Sequence, residues 1–145
     1  MEPKHKTTLK VRLILYHRGK ILLLRQTKPN GGNYTLVGGN IEHTELAREC
    51  LIRESKEEAG IRLKKKDLIL AHVLHKRKPN GHRVVIYFKA YRWEGNLRSR
   101  EPKKFKAVEW HALDDLPKNL TATVRHVLKE YRTGSIFSEI ETSEA

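Results

Sequence analysis

Two apolar, β-prone runs open the chain, Leu9–Tyr16 (LKVRLILY) and Ile21–Arg25 (ILLLR), and the intervening His17-Arg18-Gly19-Lys20 predicts a hairpin. Thr27–Asn33 carries Pro29-Asn30-Gly31-Gly32 and predicts a loop. Tyr34–Val37 is a short extended piece that runs into Gly38-Gly39, where backbone angles reserved for glycine are expected. Further strands are expected at Leu68–Leu74 and Arg83–Trp93, joined by a turn at Pro79-Asn80-Gly81, and at Phe105–His111. Two stretches have helical spacing. The first enters near Thr44 as N-cap and leaves at Gly60 as C′ glycine, with Leu51, Ile52, Ser55 and Ala59 on one arc. The second, Thr121–Arg132, bears the apolar stripe Val124, Val127, Leu128 and Tyr131. Ser135–Ala145 is acidic and polar and is expected to fray or drape over the surface. Strands, helix, strands, helix is the order of an α/β fold, a mixed sheet flanked by helices.

A length of 145 residues suits one domain. Hydrophobic residues make up 38% of it, enough aliphatic side chains for a core, which excludes a disordered chain. No apolar run approaches the roughly 18 residues of a membrane span and no leader precedes the first strand, so a soluble protein of the cytoplasm, away from membranes, is expected. The lone Cys50 excludes an intrachain disulfide and reads as a small core residue. A net charge of +13 reads chiefly as a solvated basic surface, with a polyanionic partner, either nucleic acid or a phosphate-bearing small molecule, as the other reading.

Against that basic background, Gly38–Ile61 holds six of the seventeen acidic residues. Glu54, Glu57 and Glu58 stand at i, i+3 and i+4, so a helix would project them from one face within about 5–6 Å of each other. Like charges so placed repel and raise each other's pKa, and a hard divalent cation with oxygen ligands is the natural occupant among them.

Gly39, Glu45, Arg53, Glu54, Glu57, Glu58, Gly60 and Ile61 fit the pattern G-x5-E-x7-R-E-U-x-E-E-x-G-U, where U is aliphatic. That pattern is the box of the Nudix hydrolase family, which this chain resembles in its MutT-like form. Ser55 departs from the family's aliphatic preference, so looser helix packing is expected there. Tyr34-Thr35-Leu36-Val37-Gly38-Gly39 resembles the W-x-x-P-G-G that precedes the box, with Tyr for Trp and Val for Pro. Glu109-Trp110 and Leu113-Asp114-Asp115-Leu116-Pro117 resemble the late strand and turn.

The resemblance implies a single domain over 1–145, its core about 9–132 and a tail at 133–145, folded as an α/β/α sandwich in which the box forms a loop–helix–loop. It further implies a Mg²⁺-dependent enzyme, with Mn²⁺ as the alternative metal, that hydrolyses a nucleoside diphosphate linked to another moiety. Glu54, Glu57 and Glu58 are the implied metal ligands. Glu54 and Glu57, with the Arg53–Glu45 pair, form the implied catalytic set, and for Arg53 and Glu45 a purely bracing salt bridge is the equal reading. Gly39, Tyr34 and Arg25 are the expected substrate contacts, although Arg25 equally suits a surface salt bridge. Glu101 and Glu109 are candidate general bases outside the box. Trp93, Trp110 and Phe88 read as core. Small size points to a nucleoside triphosphate such as oxidised dGTP as substrate. ADP-ribose, dinucleoside polyphosphates and RNA 5′ ends are the alternatives, nucleic acid ranks behind small nucleotides as a partner, and the assembly is a monomer or homodimer.

Overall fold

The computed structural model describes residues 5–143. Its elements run β1 (Lys6–His17), β2 (Lys20–Gln26), β3 (Tyr34–Thr35), β4 (Gly38–Asn40), α1 (Ala47–Ala59), β5 (Ile69–Lys78), β6 (Gly81–Ala90), β7 (Phe105–Ala112), α2 (Ala122–Arg132) and β8 (Phe137–Glu141). The expected β1–β2 hairpin turns on Arg18 and Gly19, both at positive φ. Only its base is paired, Tyr16 with Ile21 and His17 with Lys20. Beyond those rungs the two strands part. β1 runs parallel to β6 from Lys6↔Gly81 to Leu15↔Ala90 and antiparallel to β4, whereas β2 lies between β3 and β7, antiparallel to both. β5 continues the β6 side as an antiparallel neighbour. The splayed hairpin therefore opens a cleft between two parts of one mixed sheet.

Alternation along the strands sends successive side chains to opposite faces. Leu13, Leu15, Leu22 and Leu24 join Leu51 of α1 in one core cluster, while Ile14, Ile21 and Leu23 join Val127 and Leu128 of α2 in another. The result is the expected α/β/α sandwich. Phe88 is buried in the α1-side cluster, and the partly buried Trp93 and Trp110, their rings 5.6 Å apart, pack against it.

The structure corrects four sequence expectations. α1 starts at Ala47 rather than beside Thr44, because Glu49 reaches back to accept the N–H of Leu46 at 2.8 Å and fixes the first turn there. Arg83–Trp93 pairs as a strand only to Ala90, after which the chain bends to bridge Glu94 to Arg62. The presumed tail is ordered: Phe137–Glu141 adds to β5 as a parallel edge strand. Period-two burial there is shallow, with Ser138 and Ile140 half-buried and Phe137, Glu139 and Glu141 exposed, so backbone pairing rather than an apolar face defines the strand. It is also matched in charge, for Glu141 lies 2.8 Å from Arg77. Finally, neither Gly38 nor Gly39 is among the positive-φ glycines, and their need for glycine has another origin.

Candidate active site

That origin is close approach. β4 presses its backbone between β1 and α1, so a Cβ on Gly38 would fall 2.0 Å from the carbonyl oxygen of Val11 and one on Gly39 would fall 2.6 Å from the carboxyl group of Glu54. At Gly39 the box loop comes so close to the box helix that only a residue without a side chain fits beside Glu54. At the helix's far end Gly60, at φ 71°, donates its N–H to Lys56 and closes α1 as expected. The 95–105 segment then folds over that end, with Arg98 and Arg100 donating backbone N–H groups to the carbonyls of Ala59 and Glu58.

The three glutamates differ in setting. Glu58 is 1% accessible; its Oε1 accepts the N–H of Gly38 at 2.9 Å and its Oε2 lies 3.5 Å from the Lys104 ammonium. Burial pushes its pKa up to about 7 and the charge of Glu54 adds to the rise, against the opposing pull of the Gly38 N–H, Lys104 and Arg12. Glu54 is also raised, again mainly by burial, although Arg53 draws it down. Glu57 is half-exposed.

Arg53 organises the acidic cluster. Its Nε and Nη2 grip both oxygens of Glu45 at 2.6 and 2.9 Å, and its Nη1 reaches Glu54 at 2.8 Å and Glu57 at 3.2 Å. The bidentate pair drives Glu45 down to about 2 and holds the guanidinium above its ordinary range. Glu45 also accepts the N–H of Glu42 at 3.0 Å, and Glu42 itself lies 3.6 Å from Arg53, so the loop before α1 is tied to the helix through Arg53.

Glu54 and Glu58 share a cleft of about 480 Å³ with the Gly38–Gly39 backbone and with Lys10, Arg12 and Lys104. None of the three cations was singled out from sequence. Lys10 and Arg12 had a signal, two cations at i and i+2 inside an apolar strand and therefore on one face. Tyr34 and Arg25, the expected substrate contacts, do not line this cleft. Tyr34 is buried in the α2-side cluster with Arg25 5.6 Å above its ring, and their chain neighbours Thr35 and Gln26 take the cleft-facing positions. Glu109 lies with them, accepting the Tyr34 hydroxyl at 3.2 Å, on the face away from the box helix. Glu101 stands nearer the cleft, its carbonyl closing the turn that delivers Lys104.

Hard oxygen donors with raised pKa, pressed against a glycine backbone, suit a divalent cation such as Mg²⁺. Among the described residues no three acidic, His or Cys side chains are already gathered at coordinating distance. Glu54 and Glu58 face the cleft together, while Glu57 is held outward by Arg53.

The family model of the NUDIX domain matches residues 6–131. An ADP-ribose pyrophosphatase of Methanocaldococcus jannaschii is 34% identical over 81% of this chain and 69% of its own length. The NAD-capped RNA hydrolase NudC of Photorhabdus laumondii is 30% identical over 67% of this chain, which spans only 36% of that longer protein. In structure, a MutT Nudix hydrolase from Burkholderia pseudomallei superposes with a TM-score of 0.77, at 30% identity, over 86% of this chain and 98% of its own. The glycine-packed glutamate helix, its arginine clasp and these likenesses converge: the chain belongs to the Nudix family of hydrolases, enzymes that act on pyrophosphate bonds.

Proposed function

We propose that the protein is a Mg²⁺-dependent pyrophosphohydrolase, acting as a single domain in the cytoplasm on a nucleoside diphosphate linked to a further moiety. The observation that carries this reading is the meeting of Glu54, Glu58 and the Gly39 backbone in a cleft that also holds Lys10, Arg12 and Lys104. Acidic side chains for a metal and basic ones for phosphate oxygens stand within one cavity.

Glu54, Glu57 and Glu58 would hold the metal in this proposal. When bound, the metal would supply charge neutralisation and would make a water more acidic. The chain's own residues do the rest. Gly39 lets backbone approach the phosphate, Lys104 and Arg12 take up charge on its oxygens, and the Arg53–Glu45 clasp keeps the loop and helix in register. In the reaction, a water oxygen forms a bond to one phosphorus as the bridging P–O bond breaks. The bridging oxygen leaves with the other phosphate, and the water's proton passes to a box glutamate.

The ADP-ribose pyrophosphatase relative favours ADP-ribose as the linked nucleotide. The MutT relative in the structural comparison favours a second reading, a nucleoside triphosphate such as oxidised dGTP. A panel of ADP-ribose, NADH, oxidised dGTP, dinucleoside polyphosphates and 5′-capped RNA, incubated with Mg²⁺ and compared with Glu57→Gln, separates them. Metal-dependent release of a nucleoside monophosphate that disappears in the variant is the expected result. No turnover of any compound would overturn the proposal.

A further inference from the structure

A second cavity, of about 460 Å³, lies where the β1–β2 turn, the stretch between α1 and β5 and the end of β6 come together. It shares no lining residue with the glutamate cleft. His17 on its wall stands five residues along β1 from Arg12, roughly 17 Å in an extended strand. Three of its lining residues carry aromatic rings, His17, Tyr91 and Trp93. His17 meets Trp93 edge-on at 5.2 Å and Trp93 in turn lies against Trp110, so these two rings are anchored. Tyr91 has the Tyr16 ring stacked on it at 5.0 Å and 15°, yet it is 54% exposed, which leaves much of its ring open.

Four cations line the same cavity, Arg62, Lys64, Lys66 and Arg92, against the carboxylates of Asp67 and Glu94. Arg62 and Lys64 share Glu94, at 3.6 Å each. Lys66 and Arg92 are exposed, and among the described residues neither has a carboxylate within ion-pair distance. The combination narrows the ligand. A quaternary ammonium would use the rings but meet the cations. A bare phosphate would use the cations and leave the rings idle. A nucleoside phosphate uses both, its base on an aromatic face and its phosphate among lysines and arginines. The wider charge favours the same class. Only Lys10, Arg12 and Lys104 of the thirty lysines and arginines line the cleft, and a net charge of +13 draws polyanions to the remaining surface.

We propose that this cavity is a second nucleotide site, separate from the cleft, in which a base stacks on Tyr91 and the attached phosphate is held by Lys66 and Arg92. The ligand chemistry is a nucleoside 5′-phosphate, taken up free or as one unit of a single-stranded nucleic acid. None of the box glutamates lines the cavity, so a nucleotide bound there is held and not cleaved. The proposal does not depend on the hydrolase reading.

The test is binding in chelator, where the cleft is without metal. The full chain is titrated by calorimetry with 5′-AMP and with an oligoadenylate of about eight nucleotides. At least one is expected to bind. Tyr91→Ala should weaken that binding by roughly tenfold, the scale of one lost base stack, while Lys104→Gln in the cleft should change it by less than about threefold. An oligomer at least about tenfold tighter than 5′-AMP identifies the single strand as the source, and equal affinities identify the free nucleotide. If the oligomer binds, Lys66→Gln/Arg92→Gln should make the slope of log K against log salt shallower by about 1.4, two phosphate contacts on a single strand. Tyr91→Ala should leave the rate on any compound the cleft hydrolyses unchanged, so the loss of this site and the loss of hydrolysis are read separately. No binding of either ligand, or binding that is lost in Lys104→Gln and kept in Tyr91→Ala, overturns the proposal. An amide NMR titration of the unaltered protein stands even if a variant does not fold. Shifts centred on Lys66 and residues 91–93 uphold the site, and shifts confined to Gly38–Asn40 and Lys104 overturn it.

Discussion

α2 buries Val124, Val127 and Leu128, all apolar, whereas α1 buries Cys50, Leu51 and Ala59 together with Ser55 and Glu58. Both helices cover the same mixed sheet from opposite sides. Leu128 is fully enclosed by carbon; Ser55 is fully enclosed too, and among the described residues its hydroxyl has no hydrogen-bond partner. A buried, unsatisfied hydroxyl costs about 1–3 kcal/mol and a buried carboxylate more. The difference separates a helix that holds the fold from one that spends stability on a site. A carboxylate that accepts a bond from a glycine backbone inside a closed cleft cannot also be fully solvated.

Substitutions can break the contrast from either side. Glu54→Gln should lower kcat by roughly a thousandfold while leaving thermal stability unchanged or raised, since it removes a desolvated charge and keeps the shape. Steady-state rates beside a melting curve check this, and a variant with near-normal kcat would take Glu54 out of the site. Leu128→Ala should do the reverse, destabilising by about 3 kcal/mol in urea titrations while the folded fraction keeps its turnover rate.

The third prediction concerns pH. Glu58 is raised in the folded state from about 4.5 to about 7, so its protonated form favours folding. Its contribution is complete below pH 4.5 and is lost as pH rises through 7. Glu45 is lowered to about 2, so its contribution is present above pH 4.5 and is lost as pH falls toward 2. In chelator, Glu58→Gln should therefore flatten the stability profile between pH 4.5 and 7 by an amount on the order of 2–3 kcal/mol. A profile identical to that of the unaltered protein would show that Glu58 is not the group responsible. Smallest, Ser55→Ala should stabilise by about 1 kcal/mol, or some 3 °C in Tm, with activity retained.

The same contrast explains what could be read in the chain. The stripe of α2 and the spacing of the box are local, three- and four-residue periodicities, and both helices stand where they predict within a few residues. The site needed more than period. Lys10 and Arg12 reach the cleft only because β1 and β2 separate after two rungs, which no spacing records. Tyr34, adjacent to the box in sequence, looked adjacent in space; a two-residue strand turns it to the α2 side and offers Thr35 instead. β8 escaped notice because it has almost no apolar face to betray it. Ser55 was visible as a departure from the box, and its enclosure without a partner gives that departure a measurable cost.

β8 stands at the end of the sheet beyond β5, and so provides one of its edges. Without it that edge would be the longer β5, ten residues with unpaired amides. With it, the edge is five residues whose outward side chains are Phe137, Glu139 and Glu141. Two copies approaching edge to edge would bring glutamates together, and the repulsion discourages a continuous intermolecular sheet. The last strand thus acts as a guard on colloidal behaviour: neutralising Glu139 and Glu141 would leave Phe137 on an open edge and shorten the protein's life in concentrated solution.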